Sequence, residues 1–336
     1  MRTRWIVPAV LLTVLAPIEA EFLLGDFTIR SLGLVLVLLP LYGCGALLIR
    51  EVARRTNRGW PSILLLGAAY ALIEEGLLTQ SVFNPNYMDQ RLLDYGYVPA
   101  LGTSLNWSVF VLSIHVVWSI ATPILIAEGV AADQRTLSWL KTPGLVITSL
   151  LFVAGCTLTA SFSLKSSAFL ATRSQFMVVA LLVLLTVVGS FTIPSRTDTG
   201  AHETTAVGSV APRPRWVLLV TLALSSAFMV VEPVARDRGM APFLSVLTRL
   251  ACEIGAAGLV VSWSRMRTWG PPHYLAISAG TTLTYSLYGF VVLLQGHTNL
   301  GAPTDRIDIA GQVVLASAVS LLIWWGARRS RVVLQA

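Results

Sequence analysis

Long apolar runs alternate with short polar segments along the whole chain. The ten runs cover residues 5–22, 31–49, 60–80, 104–131, 142–161, 175–193, 216–232, 242–263, 273–295 and 309–327. A helix of roughly 20 apolar residues crosses a hydrocarbon core of about 30 Å, whereas a membrane-spanning strand alternates apolar and polar positions. The pattern therefore predicts an all-α polytopic transmembrane helix bundle with about ten spans.

The amino-acid composition narrows the class of protein. Hydrophobic residues make up 55% of the 336 residues and charged residues 12%, against about 25% charged residues in soluble domains. This excludes a soluble enzyme, a nucleic-acid-binding domain and a disordered scaffold. Cys44, Cys156 and Cys252 lie far apart within apolar runs, so neither a disulfide framework nor a cysteine-based metal site is expected.

The basic residues indicate how the chain is oriented. The net charge of +7 comes from Lys and Arg residues that fall almost entirely between the apolar runs, where positive charge marks the cytoplasmic side. The bias favours both termini in the cytoplasm and a multi-pass protein of the plasma (inner) membrane. The first run resembles a secretory signal, but Ile18 stands where cleavage after Ala20 needs a small residue, so a retained helix is favoured.

A polar linker divides the chain into two predicted membrane halves. Residues 194–215 are rich in Ser, Thr, Gly and Pro and have no apolar period, which is typical of a flexible loop. Residues 1–193 would form a six-helix half and residues 216–336 a four-helix half. No internal repeat is evident, so the inverted-repeat signature of many transporters is missing.

The third run contains two adjacent carboxylates, Glu74 and Glu75. Ionisable groups inside a span are costly and usually face the bundle interior, so each is a candidate functional residue. Successive residues of a helix point about 100° apart, so one carboxylate can face a cavity while the other bonds a supporting group. Such a pair suits general acid/base work or proton transfer.

Further polar residues are predicted at a similar depth in the outer half of the bilayer. His115, Ser119 and Thr122 form a stripe on the fourth span, and a rise of about 1.5 Å per residue places His115 within one turn of the paired glutamates. Arg249 and Glu253 on the eighth span have the i, i+4 spacing of an intrahelical ion pair. We expect the glutamates and His115 to be the chemical groups and the others to support them.

No metal or cofactor is expected from the motifs. The chain has no HExxH pattern, no Gly-rich phosphate loop and no GxSxG elbow. The other histidines, His202, His273 and His297, fall in loops or at the ends of spans.

Paired glutamates followed by a histidine in the next span resemble the glutamic intramembrane proteases of the CAAX-protease and bacteriocin-processing (CPBP) family. Glu74 and Glu75 match the paired carboxylates of its EExxxR motif, and His115 matches the histidine of its FxxxH motif. Thr79 stands in place of the motif arginine, Phe110 lies one residue too far from His115, and no later span has a central histidine. The resemblance implies a glutamate and a histidine that activate water for peptide cleavage within the membrane.

Three functions therefore remain open. The first is a hydrolase of the glutamic type that acts on a peptide or a lipid-linked substrate. The second is a proton- or cation-coupled transporter that uses the same carboxylates, and the third is a non-catalytic membrane accessory subunit. Membrane lipid is an expected partner and nucleic acid is not, and the sequence carries no signal for the oligomeric state.

Overall fold

The computed structural model describes residues 6–193 and 209–333, which form a bundle of ten long helices. We number them α1 (6–22), α2 (Ile29–Arg55), α3 (Trp60–Leu78), α4 (Leu105–Val130), α5 (Thr142–Ser167), α6 (Arg173–Thr192), α7 (Pro214–Asp237), α8 (Pro242–Trp263), α9 (Pro271–Leu294) and α10 (Arg306–Val333). In the described part of the chain, α2 to α10 are each long and apolar enough to cross a membrane. The prediction of an all-α polytopic bundle is confirmed.

Proline marks the first turn of several helices. A proline there costs no hydrogen bond, because the first amide groups of a helix have no intrahelical acceptor. The helices α3, α5, α7, α8 and α9 start in this way, with Pro61, Pro143, Pro214, Pro242 and Pro271. Helix α6 begins instead with a capping box between Thr172 and Gln175. These local signals explain why most predicted starts lie close to the observed ones.

The helices differ in how much of their surface the protein covers. Helix α4 is the most buried of the membrane-crossing helices, whereas α5 and α6 expose most of their side chains, as lipid-facing helices do. Helix α9 packs against α4, α7 and α10, so the two predicted halves are in contact. Most of the predicted linker, residues 194–208, lies outside the described residues.

Residues 79–104 connect α3 to α4 at the end of the bundle that the charge bias predicts to be the outer end. It contains the two-stranded antiparallel ribbon of β1 (Tyr97–Val98) and β2 (Thr103–Ser104). The hydroxyl of Tyr95 donates to the carbonyl oxygen of Met240 (3.1 Å), and the guanidinium of Arg236 lies over the Tyr95 ring. The segment is thereby held against the connection between α7 and α8.

One end of the bundle, which the charge bias predicts to be the inner end, holds a buried ion network. Arg50 and Arg54 both donate to the carboxylate of Glu128 on α4, and Arg50 also pairs with Glu51 at 2.6 Å. The guanidinium of Arg50 lies 3.4 Å from the centre of the Trp139 ring. Because these partners compensate the buried charges, α2 continues to Arg55 rather than ending at residue 49.

Candidate functional site

Within residues 6–193 and 209–333, four helices carry a π turn, in which one extra residue widens the helix. The π turns are Ile18–Phe22 in α1, Leu39–Gly43 in α2, Ile73–Leu78 in α3 and His115–Ala121 in α4. Isolated π turns are rare and frequently occur at functional sites. These four contain the ionisable and aromatic residues that meet in the interior: Glu21, Tyr42, Glu74, Glu75 and His115.

Proline accounts for three of the π turns. Pro17 immediately precedes the turn in α1, Pro40 lies within the turn in α2, and Pro123 follows the turn in α4. A proline lacks the amide hydrogen and clashes with the preceding turn, so it interrupts the regular hydrogen-bond ladder. The turn in α3 has no proline and is instead the one that holds the adjacent glutamates.

The structure brings Glu74, Glu75 and His115 together. The Nε2 of His115 lies 3.3 Å from Oε2 of Glu74 and 3.4 Å from Oε1 of Glu75. All three side chains are buried, with His115 only 6% exposed. The π turns on α3 and α4 therefore bring both carboxylates into contact with one ring nitrogen. In a regular α-helix, adjacent residues point about 100° apart and would not both reach it.

Glu75 is held in place by hydroxyl groups. Its Oε2 accepts hydrogen bonds from Thr79 (3.1 Å) and from Ser81, and the indole of Trp107 donates to the Ser81 hydroxyl (3.2 Å). Thr79 is the residue that stands where the CPBP motif has arginine. Here it satisfies the carboxylate with a neutral donor rather than a charged one.

The ring of His115 is fixed from two directions. Its Nδ1 lies 2.7 Å from the carbonyl oxygen of Val111, and its face stacks on Tyr42 with 6.2 Å between the ring centres. A carbonyl oxygen can only accept, so Nδ1 carries the hydrogen in this contact. The other ring nitrogen, Nε2, is therefore the one turned to the carboxylates.

Glu74 contributes a buried oxygen, Oε2, that is in ion-pair contact with His115 but accepts no well-formed hydrogen bond among the described residues. The buried hydroxyl of the neighbouring Tyr70 interacts with the same carboxylate. The Tyr70 ring also packs near His115, with 6.3 Å between the ring centres. Buried polar atoms without partners are uncommon and mark positions where a ligand or water is expected.

The sequence analysis missed the contribution of α1 and of the segment that follows it. The Tyr42 hydroxyl hydrogen-bonds Glu21, which lies within electrostatic range of Glu74 and His115. The signal was the Glu19-Ala20-Glu21 sequence at the end of the first run, which was considered only as a cleavage site. Carboxylates at the end of an apolar helix are candidate functional residues for the same reason as those on α3, and Glu21 is the one that reaches the group.

Asp26 connects this interior to the outer surface. It hydrogen-bonds Glu21 on one side and accepts from Asn299 (2.8 Å) on the other. It also lines a cavity of about 400 Å³ between residues 26–31 and 298–308. Burial raises the pKa of Asp26 from its usual 3.8 to about 6, and the Asn299 bond offsets part of that effect.

Thr122, a predicted supporting residue of α4, bonds α9 rather than the glutamates. Thr122 and Thr281 share a hydrogen bond of 2.9 Å, and the indole of Trp118 donates to the carbonyl oxygen of Thr281 (2.8 Å). Thr122 and Trp118 thereby join α4 to α9 and fix the helix that carries His115. Ser119, the other predicted supporting residue, is buried in the π turn itself.

Arg249 does not form the predicted ion pair with Glu253. Its guanidinium pairs with Glu232 on α7 (3.1 Å) and donates to the side chain of Asn106 on α4 (2.8 Å). The i, i+4 spacing was a poor guide, because partners on two neighbouring helices offer better geometry than the next turn of α8. Neither Arg249 nor Glu253 joins the Glu–His group, so they are removed from the predicted site.

The three converging side chains also form a group that could hold a metal ion. One ligand atom from each of Glu74, Glu75 and His115 lies within 4.8 Å of the others. The sequence analysis predicted no metal because it searched for histidine motifs. Two carboxylates and one imidazole give a three-ligand set without any such motif.

The fold and this group define an integral membrane protein with several spans and a buried Glu–Glu–His centre. Within that class, the chain belongs to an uncharacterized membrane protein family, whose family model matches residues 10–328. No curated protein and no solved structure matches the chain. The match shows no link to the CPBP proteases, so that resemblance stays a hypothesis, as does the plasma membrane as the location.

Proposed function

We propose that this protein is an intramembrane hydrolase of the glutamic type, acting on a peptide or a lipid-linked substrate. The observation that carries the proposal is the convergence of two buried carboxylates on one imidazole nitrogen, at 3.3 Å and 3.4 Å. A general base must lie within hydrogen-bond reach of the proton it removes, directly or through one water. The group satisfies that requirement inside a membrane protein.

The environments of the two glutamates suggest different roles. Glu75 already accepts two hydroxyl hydrogen bonds, so it orients His115. Oε2 of Glu74 accepts no hydroxyl hydrogen bond among the described residues, so Glu74 would bind the attacking water and take its proton. The water oxygen would attack the substrate carbonyl carbon while Glu74 passes the proton to Nε2 of His115. His115 would then give that proton to the leaving group as the bond to that group breaks.

The outer cavity supports a supply of water from one side. Asp26 lines that cavity and hydrogen-bonds Glu21, which interacts with Glu74 and His115. A catalytic bundle needs access for water from one surface, whereas a transporter needs access from both. The polar contacts lead from the site toward the cavity, which opens on the side that the charge bias predicts to be the outer one.

The test measures hydrolysis without knowing the substrate. The purified protein in liposomes is incubated with a membrane extract in water enriched in heavy oxygen, and mass spectrometry follows products that carry the heavy atom in a new carboxylate. The wild type should generate such products, and Glu74→Gln should generate far fewer. Glu19→Gln is the matched control, because Glu19 is a fully buried glutamate bound to Thr282 (2.7 Å) outside the group. Equal products from wild type and Glu74→Gln would contradict the proposal.

A second candidate is a proton-coupled transporter. The observation that favours it is the row of carboxylates formed by Asp26, Glu21 and Glu74, since such rows relay protons in transporters. In liposomes with a pH gradient, a transporter would move protons in response to an added solute and leave no heavy oxygen in any product. A hydrolase would give the opposite pair of results.

A further inference from the structure

The Glu–His group has an arrangement that protons alone do not explain well. His115 uses Nδ1 for the carbonyl oxygen of Val111, so Nε2 is the ring nitrogen turned to Glu74 and Glu75. Nε2 lies in ion-pair contact with both carboxylates, at 3.3 Å and 3.4 Å, and a single proton on Nε2 can point at only one of them. Two carboxylates and one ring nitrogen thus face one another in a buried space, where a divalent cation compensates both negative charges and one imidazolium proton compensates only one.

We infer that Glu74, Glu75 and His115 bind a divalent transition-metal ion, with zinc as the best fit. Zinc is bound at about 2.0–2.1 Å by imidazole nitrogen and about 2.0–2.2 Å by carboxylate oxygen, and it prefers a tetrahedron. The edge of such a tetrahedron is about 3.4 Å. The two measured separations from Nε2, 3.3 Å and 3.4 Å, equal that edge.

The surroundings of two ligands are those of a metal site. A histidine that binds a metal usually donates its other ring N–H to a carbonyl or a carboxylate, and ligand carboxylates are themselves hydrogen-bonded. His115 does the former through Val111, and Glu75 does the latter through Thr79 and Ser81, which bind Oε2 and leave Oε1 for the ion. The ligand atoms are therefore oriented before any ion arrives.

The chemistry of the ligands limits which metal ions can bind. One nitrogen and two carboxylate oxygens suit zinc, manganese, iron or cobalt, whereas magnesium and calcium prefer oxygen ligands alone. Three protein ligands leave one tetrahedral position open, as in catalytic zinc sites. The buried hydroxyl of Tyr70 lies beside Glu74 and would donate to a water in that position.

The inference goes beyond the proposed hydrolase and does not depend on it, since an ion can bind whether or not a substrate is cleaved. If both hold, the ion carries the attacking water and Glu74 is a ligand rather than the free base. The two ideas are separated by their readouts. Metal content tests the site, and heavy oxygen in products tests the reaction.

The experiment measures metal in the purified full-length protein without an affinity tag. After loading with zinc and dialysis, the wild type and Glu19→Gln should retain a stoichiometric amount by elemental analysis, while Glu74→Gln and His115→Gln should retain almost none. Loading with cobalt should give the intense visible absorption of a tetrahedral site in the wild type only. A wild type that retains no zinc, cobalt or manganese would overturn the inference, as would equal retention by both ligand variants.

A second measurement uses the wild type alone, so its result does not depend on whether the variants fold. X-ray absorption at the zinc edge should show nitrogen and oxygen neighbours at about 2.0–2.2 Å together with the outer scattering of one imidazole ring. Absence of the imidazole signal in a zinc-loaded sample would place the ion elsewhere and would also overturn the inference.

Discussion

The imidazole Nδ1 of His115 lies 2.7 Å from the carbonyl oxygen of Val111, one turn earlier in the same helix. This contact decides which ring nitrogen meets the two glutamates. It spans the point where α4 changes from a regular α-helix to a π turn, so the backbone distortion and the orientation of the side chain have one origin. The local path of α4 therefore sets the chemistry that the group can perform.

The first prediction concerns the buried ion network at the inner end. Glu128→Gln should lower the free energy of unfolding by about 3–5 kcal/mol, because it leaves the guanidinium groups of Arg50 and Arg54 buried without a carboxylate between them. Denaturant unfolding in detergent measures this. Asp94→Asn, which breaks the exposed pair with Arg91, should shift the unfolding midpoint far less. Similar midpoints for the two variants would contradict the account.

The second prediction tests the partner of Arg249. A double-mutant cycle with Arg249→Gln and Glu232→Gln should give a coupling energy of roughly 0.5–3 kcal/mol, because these side chains form an ion pair across two helices. The matching cycle with Glu253→Gln should give a clearly smaller value. A larger coupling to Glu253 would restore the intrahelical pair that the sequence suggested.

The third prediction concerns the close approach of α1 to the π turn of α2. A side-chain Cβ at Gly43 would lie 2.2 Å from the carbonyl oxygen of Thr13, so Gly43→Ala should destabilise the protein by about 1–3 kcal/mol. Gly255 on α8 has no heavy atom within 4 Å of the same position. Gly255→Ala should be neutral or stabilising by up to about 1 kcal/mol. Thermal unfolding of the two variants makes the comparison, and a stable Gly43→Ala protein would disprove the packing.

The fourth prediction is a pH dependence at Asp26. Its pKa is raised to about 6 by burial, so the fold favours the neutral carboxyl. The stability that this residue contributes is present below about pH 4 and is lost as the pH rises through about 6. Asp26→Asn stays neutral, so it should gain stability relative to the wild type over that window.

The unfolding midpoints of the wild type and of Asp26→Asn are measured at a series of pH values. Both proteins contain all the other carboxylates, so the difference between their midpoints reports on Asp26 alone. Asp94 provides a control with the opposite sign. The hydrogen bond from Arg91 lowers its pKa, so Asp94→Asn should lose stability relative to the wild type as the pH rises through the ordinary range of an aspartate. The same slope for both variants would contradict the assignment.

The sequence predicted the features that depend on one helix at a time. Apolar length located the spans, and Pro61 or Pro143 marked where helices start. Counting residues from the span ends placed Glu74 at the depth of His115, because helical rise is nearly constant whatever the packing. The structure places these two side chains in contact.

Features that depend on several helices at once could not be predicted from the sequence. The partner of Arg249 was misjudged because Glu232 and Asn106 come from α7 and α4, and no spacing rule connects them. The π turns were also missed, since they arise where proline and buried polar groups disturb the ladder. Glu21 entered the site for the same reason, through the turn that follows Pro17.

The most direct test of the central claim asks whether Glu74 and His115 work as one chemical unit. The rate of heavy-oxygen incorporation into products is compared among Glu74→Gln, His115→Gln and the double variant, with thermal stability recorded for each. Groups that act as a unit show strongly non-additive effects, so the account predicts that the double variant is no slower than the more impaired single variant. Independent losses that multiply in the double variant would contradict it.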